Sequence, residues 1–242
     1  MLQVWFYLDK VTPERYSETG FQSFQGNRTA MGEKTDKLLS ILKLQPVVPV
    51  LIVDDAKSAV LLARALVAGG LKAIEITMRT PAALDAVRAV AAEVEGAEVG
   101  AGTILNAAHW EAAVEAGSKF IVSPGTTQEL LDAAADSDVP LLPGAATASE
   151  VMALREEGYQ VLKFFPAEQA GGAAYLKALS SPLAGTLFCP TGGISLKNAN
   201  DYLSLPNVIC VGGSWVAPKE LVAAGDWAGI TKLAAEAAAL KA

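Results

Sequence analysis

Histidine is nearly absent from this 242-residue chain, which contains only one, His109. A histidine-rich metal site is therefore not expected, and any Ser-His-Asp triad would have to use this residue. It is more simply a structural residue, beside Trp110 in a predicted helix. Cysteine is also scarce, and Cys189 and Cys210 lie in apolar runs without CxxC spacing. Such a pair is typical of buried thiols in a reducing compartment, so we expect a cytoplasmic protein.

Basic residues are outnumbered, since 19 Lys and Arg stand against 26 Asp and Glu, for a formal net charge of −7. This balance argues against a nucleic acid or an anionic membrane as partner, because their phosphates would be repelled. An anionic ligand would have to be held by local groups. Long apolar runs are missing too, because the longest uncharged stretch, residues 178–196, is broken by Ser, Pro and Gly. A membrane span needs about 20 mainly apolar residues, so none is predicted.

The beginning of the chain differs from the rest, because its aromatic residues stand among polar ones with no clean periodicity. A secretory signal needs a basic start and an apolar region of about 7–15 residues, and the apolar run at 4–8 is too short. We interpret residues 1–32 as an extension ahead of the domain. Residues 1–30 are either mobile or the product of an upstream start codon, with Met31 the natural beginning. A partner-binding arm is the alternative.

Eight short apolar runs follow from residue 33 onward, and alanine-rich amphipathic stretches separate them. The runs are 47–53, 71–77, 98–102, 119–122, 139–142, 159–164, 186–189 and 207–211. This alternation predicts a single α/β domain over residues 33–242, a (β/α)8 TIM barrel with a short helix at 33–44 before the first strand. An open doubly wound sheet is the alternative. The sequence after the first strand, Asp54-Asp55-Ala56-Lys57, lacks the glycine-rich fingerprint expected of that fold.

Helix starts between the runs carry recognisable capping signals. We expect helices to begin at Thr80-Pro81, at Asn106, at Thr126 with Glu129, at Thr147 with Glu150, and at Asp226. In a barrel, ligands bind where the strands end and the following loops begin, so the polar residues there are the candidates for function.

Lys163 is the most anomalous of these, because it stands in the apolar segment Val161-Leu162-Lys163-Phe164. A strand buried on both faces should be wholly apolar. A charged ammonium there costs on the order of several kcal/mol, so the amine is either paired or partly uncharged. An uncharged lysine amine can condense with a ketone to form a Schiff base. The alternative is a lysine at the rim whose ammonium reaches solvent.

Glu75 lies in a second apolar strand, and Thr77 and Arg79 share its parity. Side chains alternate along a strand, so these three residues face the same way. If that side is the barrel interior, a carboxylate and a guanidinium meet near Lys163. Glu75 could then act as general acid and base, and Arg79 could hold a substrate carboxylate by a forked contact. The alternative is an internal ion pair that only supports the interior.

Paired glycines follow the last two predicted strands, in Pro190–Ser195 and in Gly212–Trp215. Glycine lets backbone N–H groups approach an anion closely, and barrel phosphate sites commonly use these two loops. Small residues also end the third to fifth strands, where they leave room for a ligand or simply form turns. Thr103, in the first of these loops, could hydrogen-bond a bound carboxylate.

Taken together, these segments resemble one family over residues 33–242. They are PVVPV (46–50), ALVAGG (65–70), the E-x-T-x-R-T run at 75–80, VGAGT (99–103), SPG (123–125), KFFPAE (163–168), FCPTGGIS (188–195) and GGSW (212–215). The chain resembles the KDPG aldolases, class I aldolases that act on 2-keto-3-deoxy-6-phosphogluconate in the Entner–Doudoroff pathway. The turn at 143–147 is less rich in hydroxyl groups than in relatives, and residues 1–32 are unmatched.

The resemblance implies a role for each candidate. Lys163 would be the Schiff-base lysine and Glu75 the acid/base residue. The substrate-binding residues would be Arg79 and Thr103 for the pyruvate carboxylate, Phe165 and Pro124 beside the pyruvyl unit, Thr191 at the other end, and Gly192, Gly193 and Ser214 for the phosphate. No metal or cofactor is implied, because the protonated imine itself withdraws the electrons.

The resemblance further implies a small-molecule partner, either the phosphorylated keto-deoxy sugar acid or pyruvate, and a homotrimer. It predicts cleavage of the sugar acid to pyruvate and D-glyceraldehyde 3-phosphate, with side activity on 4-hydroxy-2-oxoglutarate. Three alternatives stay open: an aldolase for 2-keto-3-deoxy-6-phosphogalactonate, one that prefers unphosphorylated 4-hydroxy-2-oxoglutarate, and a non-catalytic phosphosugar-binding barrel.

Overall fold

Parallel strands alternate with helices through the computed structural model, which describes residues 31–240. The first helix, α1, covers 31–42 of these. The strands are β1 (Val47–Leu51), β2 (Ala73–Thr77), β3 (Glu98–Gly102), β4 (Ile121–Val122), β5 (Leu141–Leu142), β6 (Gly144–Ala145), β7 (Val161–Phe164), β8 (Leu187–Pro190) and β9 (Val211–Gly213). The remaining helices are α2 (Ala56–Ala68), α3 (Ala83–Glu93), α4 (Ala107–Glu115), α5 (Gln128–Ala135), α6 (Ala148–Glu156), α7 (Gly172–Leu179), α8 (Ala199–Leu203), α9 (Lys219–Ala224) and α10 (Trp227–Ala238).

The strands form two parallel sheets. One has six strands in the order β5-β4-β3-β2-β1-β9, and the other has three in the order β6-β7-β8. Isolated parallel bridges, Phe188 to Val208 and Thr191 to Gly212, connect the two sheets beside β8 and β9. The predicted fifth strand, 139–142, contains β5. Pro143, which has no N–H to donate to a ladder, separates β5 from β6, which lies beyond the predicted run. The prediction of a parallel α/β fold is therefore confirmed.

Both faces of the strands are covered by apolar side chains. All five residues of β2 and all four of β7 are buried, as expected for strands of a parallel sheet. One face packs against the surrounding helices, and the opposite face forms a second cluster with Leu38, Ile41 and Leu42 of α1. Ala73 and Val161 belong to this second cluster. The side chains of Glu75 and Lys163, two residues further along their strands, therefore point to the same inner side.

Three of the predicted helix starts are confirmed. Asn106 accepts a hydrogen bond from the N–H of His109, and Asp226 accepts one from that of Gly229. Thr147 and Glu150 form a reciprocal capping box at the start of α6. Each pair satisfies N–H groups that a helix leaves without an internal partner.

Two predicted starts are wrong. The hydroxyl of Thr80 donates to the carbonyl of Val53 at 2.6 Å, and α3 begins at Ala83 without a side-chain cap. The hydroxyl of Thr126 donates to the carbonyl of Gly144 at 3.0 Å, and the next residue, Thr127, caps α5. In both cases a carbonyl in or just after a neighbouring strand accepts the hydrogen bond, so the hydroxyl ties its loop to that strand instead of capping its own helix.

The predicted extension, residues 1–32, lies outside the described residues except for Met31 and Gly32, which are part of α1. Within residues 31–240, no helix is long and apolar enough to cross a membrane.

Candidate active site

A buried ion pair lies at the centre of the inner side. The Nζ atom of Lys163 on β7 lies 3.3 Å from Oε1 of Glu75 on β2, and the two side chains are 6% and 4% exposed. The other ion pairs in the described part of the chain, Arg64–Glu93 and Arg88–Asp85, lie on the surface. Burying two charges costs several kcal/mol per ion in desolvation, on the order of what their attraction returns. Such a pair is therefore weak evidence for a stabilising role and suggests a chemical one.

Gly102 makes room for the carboxylate. It is the register partner of Thr77 on the adjacent strand, and a Cβ at this position would lie 1.9 Å from Oε1 of Glu75. Any side chain at residue 102 would therefore push the carboxylate away from Lys163. The sequence predicted only that small residues end this strand, because the side chain that needs the space, Glu75, lies on another strand.

Arg79 and Thr103 meet where β2 and β3 end. The Nε–H of Arg79 donates to Oγ1 of Thr103 at 3.2 Å. Thr103 has a φ of 61°, a left-handed conformation that is uncommon for a residue with a branched side chain. The terminal nitrogens of Arg79 have no hydrogen-bond or ion-pair partner within residues 31–240. They remain available for a forked contact with a carboxylate.

Two further predicted residues lie beside the lysine. The Nζ atom of Lys163 lies 5.4 Å from the ring centroid of Phe165, which is half-buried. Gly144 is the register partner of Lys163, and a Cβ there would lie 2.4 Å from the carbonyl carbon of Pro124. The backbone of Pro124 thus approaches β6, the strand that pairs with β7 at Lys163.

An open cleft of about 850 Å³ adjoins this site. Six of the predicted residues line it, namely Arg79, Phe165, Thr191, Gly192, Gly193 and Ser214. The other four (Lys163, Glu75, Thr103 and Pro124) are not among its lining residues, although Lys163 and Thr103 contact lining residues directly. The cleft volume is within the range of small-molecule sites.

The glycine-rich loop in the cleft has an unusual backbone. Gly192 and Gly193 have φ values of 105° and 76°, a conformation that disfavours other residues. Thr191 is buried beside Gly212, where a Cβ would lie 2.2 Å from Oγ1 of Thr191. The absence of a side chain at residue 212 therefore lets the threonine hydroxyl fit between the last two strands.

Charged residues that the sequence analysis did not propose also line the cleft: Asp54, Asp55, Lys219 and Glu220. The N–H of Ser58 donates to Asp55 and lowers the pKa of its carboxyl, which keeps that group ionised. The position of Asp54 and Asp55 directly after a predicted strand was a usable signal. Within the described residues, no group of three or more His, Cys, Asp or Glu lies together as a metal site would require.

The parallel α/β fold, with a buried lysine–carboxylate pair beside a cleft, is that of an aldolase, a carbon–carbon lyase. Residues 38–233 match the family model "KDPG and KHG aldolase", and the chain belongs to that family.

Named relatives agree with this assignment. The chain is 52% identical to the 2-dehydro-3-deoxy-phosphogluconate aldolase of Pseudoalteromonas atlantica, over 80% of this chain and 90% of the relative. It is similar, at 42% identity and a TM-score of 0.81, to the Legionella pneumophila KDPG aldolase with pyruvate captured as a covalent carbinolamine intermediate, covering 83% of this chain and 98% of that one. It is also similar, at 48% identity and a TM-score of 0.79, to the Zymomonas mobilis ZM4 enzyme with 3-phosphoglycerate. This match covers 84% of this chain and 95% of that one.

Proposed function

We propose that the chain is a class I aldolase that cleaves 2-dehydro-3-deoxy-6-phosphogluconate to pyruvate and D-glyceraldehyde 3-phosphate, with side activity on 4-hydroxy-2-oxoglutarate. The observation that carries this proposal is the buried contact of 3.3 Å between Lys163 and Glu75 beside the cleft. The names of the relatives support the gluconate substrate over its galactonate epimer. The captured pyruvate of the Legionella enzyme supports covalent chemistry over a purely binding role.

Lys163 acts as the nucleophile. Its ammonium donates to Glu75, so proton transfer along this hydrogen bond leaves a neutral amine and a protonated carboxyl. The amine adds to the C2 ketone to form a carbinolamine, and loss of water from that adduct leaves a protonated imine. The imine carries a positive charge next to C3, which weakens the C3–C4 bond by drawing its electrons toward nitrogen.

Glu75 moves the protons that this sequence requires. Protonated Glu75 supplies the proton that leaves with the carbinolamine oxygen as water, and the carboxylate that remains accepts the C4 hydroxyl proton, through a water, as the C3–C4 bond breaks. D-Glyceraldehyde 3-phosphate leaves, and the bond electrons remain on the enzyme as an enamine. Glu75 then returns its proton to C3, and water hydrolyses the resulting imine to pyruvate and free lysine. General acid–base help of this kind is typically worth about 10²–10⁴-fold in rate.

The two ends of the substrate bind at the two ends of the site. The free guanidinium nitrogens of Arg79, together with the hydroxyl of Thr103, hold the pyruvate carboxylate. Phe165 and Pro124 pack against the pyruvyl carbons and exclude water from the imine. Thr191 and the N–H groups of the glycine loop, with Ser214, bind the distal hydroxyls and the phosphate.

The larger assembly is part of the same proposal. We infer one closed (β/α)8 barrel over residues 33–242, which the bridges between β8 and β9 and the one-residue interruption at Pro143 support. We also propose a homotrimer in the cytoplasm. Light scattering on the purified protein measures its mass in solution, and a value for one chain would contradict the trimer.

Borohydride trapping tests the chemistry directly. The protein is incubated with pyruvate, reduced with borohydride and digested, and the peptides are analysed by mass spectrometry. The expected result is one reduced pyruvyl group, confined to the peptide that contains Lys163, and its loss in Lys163→Ala. A folded wild-type protein without an adduct would overturn the aldolase mechanism and leave only the binding role. Comparing kcat/KM for the gluconate and galactonate epimers then tests the substrate.

A further inference from the structure

Three consecutive carbonyls of the glycine loop are held by donors from the protein. The carbonyl of Thr191 accepts from the N–H of Ala167 at 2.8 Å, and that of Gly192 accepts from the N–H of Glu168 at 3.1 Å. The carbonyl of Gly193 accepts from Nδ2 of Asn198 at 3.2 Å. The segment after β7 and the start of α8 therefore fix the orientation of three successive peptide groups.

Fixing the carbonyls also fixes the N–H groups. In a trans peptide the N–H points opposite to the C=O of the same unit. The three carbonyls bond back to the protein, so the N–H groups of Gly192, Gly193 and Ile194 point the other way. None of the three has an acceptor within residues 31–240, and all three residues line the cleft. Successive N–H groups of this kind form an anion-binding concavity.

Asn198 closes the turn behind this loop. Its Oδ1 accepts from the backbone N–H of Ser195 at 2.8 Å while its Nδ2 donates to Gly193. One side chain therefore holds both ends of the segment 193–195. Without the amide, the peptide between Gly193 and Ile194 would be free to rotate, because glycine imposes little restriction on φ and ψ.

The negative charge of Glu168 lies near the glycine loop, and Tyr202 hydrogen-bonds it. A Cβ at Gly193 would lie 2.6 Å from Cγ of Glu168, so an acidic side chain stands directly against the loop. Its charge would repel a phosphate bound there. The hydroxyl of Tyr202, on α8, donates to Oε1 of Glu168, and Tyr202 is 1% exposed. This donor holds the exposed carboxylate of Glu168 toward α8, and Glu168 is not among the residues that line the cleft.

The surroundings of Tyr202 favour its protonated hydroxyl, the form that can donate. Burial, together with the hydrogen bond to Glu168, raises the pKa of Tyr202 well above its ordinary value of 10.0. Deprotonation would place a phenolate directly beside the Glu168 carboxylate, which favours the neutral hydroxyl.

We propose that Asn198 and Tyr202 are positioning residues for the phosphate end of the substrate. Asn198 fixes the peptide group that presents the N–H of Ile194 to the cleft, and Tyr202 holds the Glu168 carboxylate away from it. This inference rests on the proposed function. It adds that recognition of the phosphate depends on side chains behind the loop that do not touch the ligand.

The test separates the phosphate from the rest of the substrate. Tyr202→Phe and Asn198→Ala are compared with wild type on 2-dehydro-3-deoxy-6-phosphogluconate, on the unphosphorylated sugar acid, and in trapping of pyruvate by borohydride. We expect KM for the phosphorylated substrate to rise about tenfold, equal to about 1.4 kcal/mol. Values of kcat/KM for the unphosphorylated sugar acid, and the pyruvate concentration for half-maximal trapping, should stay within about twofold.

Matched variants away from the loop serve as controls. Tyr159→Phe removes a hydroxyl from another buried tyrosine, and Asn200→Ala truncates an exposed residue of the same helix as Tyr202. Neither should change KM for the phosphorylated substrate. Equal losses on both sugar acids and in trapping would mean a merely structural role for Tyr202 and Asn198, and unchanged kinetics in both variants would equally overturn the proposal.

A double variant tests the electrostatic step. In Tyr202→Phe the Glu168 carboxylate loses its hydrogen-bond donor and is free to move toward the bound phosphate. Adding Glu168→Gln removes that charge, so KM for the phosphorylated substrate should fall back close to its wild-type value. A double variant no better than Tyr202→Phe would contradict the repulsion argument. Failure of the proposed function itself would look different, because wild type would then neither trap pyruvate nor cleave either sugar acid.

Discussion

The Nζ atom of Lys163 lies 3.3 Å from Oε1 of Glu75, although the two residues are 88 positions apart in the chain and stand on different strands. Apart from Thr77, whose hydroxyl donates to the carbonyl of Leu51, the other residues of both strands are apolar. Replacing a buried ion pair by apolar side chains is often neutral or stabilising. Stability alone therefore does not explain why two charged groups occupy these positions. A catalytic role does explain it, because the amine of Lys163 is in direct contact with a base, Glu75, that can take its proton.

Glu75→Gln should slow the reaction while leaving the fold intact. The amide keeps an acceptor for the lysine but cannot take up protons, so kcat should fall about 10²–10⁴-fold. Turnover and circular dichroism measure the two effects, and Glu156→Gln, an exposed residue of α6, is the matched control. A variant with wild-type kcat would remove Glu75 from the mechanism.

Gly102→Ala should reproduce much of that loss without touching an ionisable group. The added Cβ would lie 1.9 Å from Oε1 of Glu75, so the carboxylate must leave its contact with Lys163. A misplaced catalytic group typically costs about 10²-fold in rate. Gly32→Ala is the control, because a Cβ at that glycine meets nothing within 4 Å. If kcat were unchanged in Gly102→Ala, the 3.3 Å contact would not be required for turnover.

Arg79→Lys should weaken binding of the keto acid. A lysine retains the charge but loses the forked geometry that matches a carboxylate, and it cannot donate to Thr103 and the ligand with the same planar group. We expect the pyruvate concentration for half-maximal borohydride trapping to rise about tenfold, with kcat less affected. Arg88→Lys, at an exposed pair with Asp85, should have no effect. A larger effect on kcat than on this concentration would point to a role in the bond-breaking step instead.

Strand periodicity explains why much of the site could be predicted from the sequence. Glu75, Thr77 and Lys163 were visible as polar residues in apolar segments, and the period of two places Glu75 and Thr77 on one face of β2. The contact between the carboxylate and the amine follows once both strands face the same interior. No local pattern could have located Gly102 as the space for Glu75, because that contact depends on the register between β2 and β3.

The two wrong helix starts occur where a carbonyl of a neighbouring strand or loop competes with the helix for the hydroxyl of the predicted cap. Thr80 and Thr126 both had sound capping patterns, yet each hydroxyl donates to a distant carbonyl, that of Val53 just after β1 and that of Gly144 in β6. Such acceptors are brought close only by tertiary packing. The pairing of Tyr202 with Glu168 escaped prediction for the same reason, since 34 residues separate them in the chain.

The capping box of α6 gives a stability prediction with a definite pH dependence. Hydrogen bonds from the N–H of Ala146, and then from Thr147, lower the pKa of Glu150 below its ordinary value of 4.5. The folded state therefore favours the ionised carboxyl. Its contribution to the free energy of unfolding is complete above pH 4.5 and is lost as the pH falls through the lowered folded value.

Glu150→Gln should accordingly destabilise the protein at neutral pH, by about 0.5 kcal/mol since the residue is exposed. At about pH 3 the wild-type carboxyl is largely protonated in the unfolded chain, so the difference between wild type and variant should shrink. Urea unfolding at neutral pH and at about pH 3 measures this difference in the free energy of unfolding. Glu156→Gln is the control, because Glu156 is an exposed glutamate of the same helix outside the cap. A gap of the same size at both pH values would mean that the glutamate stabilises α6 by packing instead of by its charge.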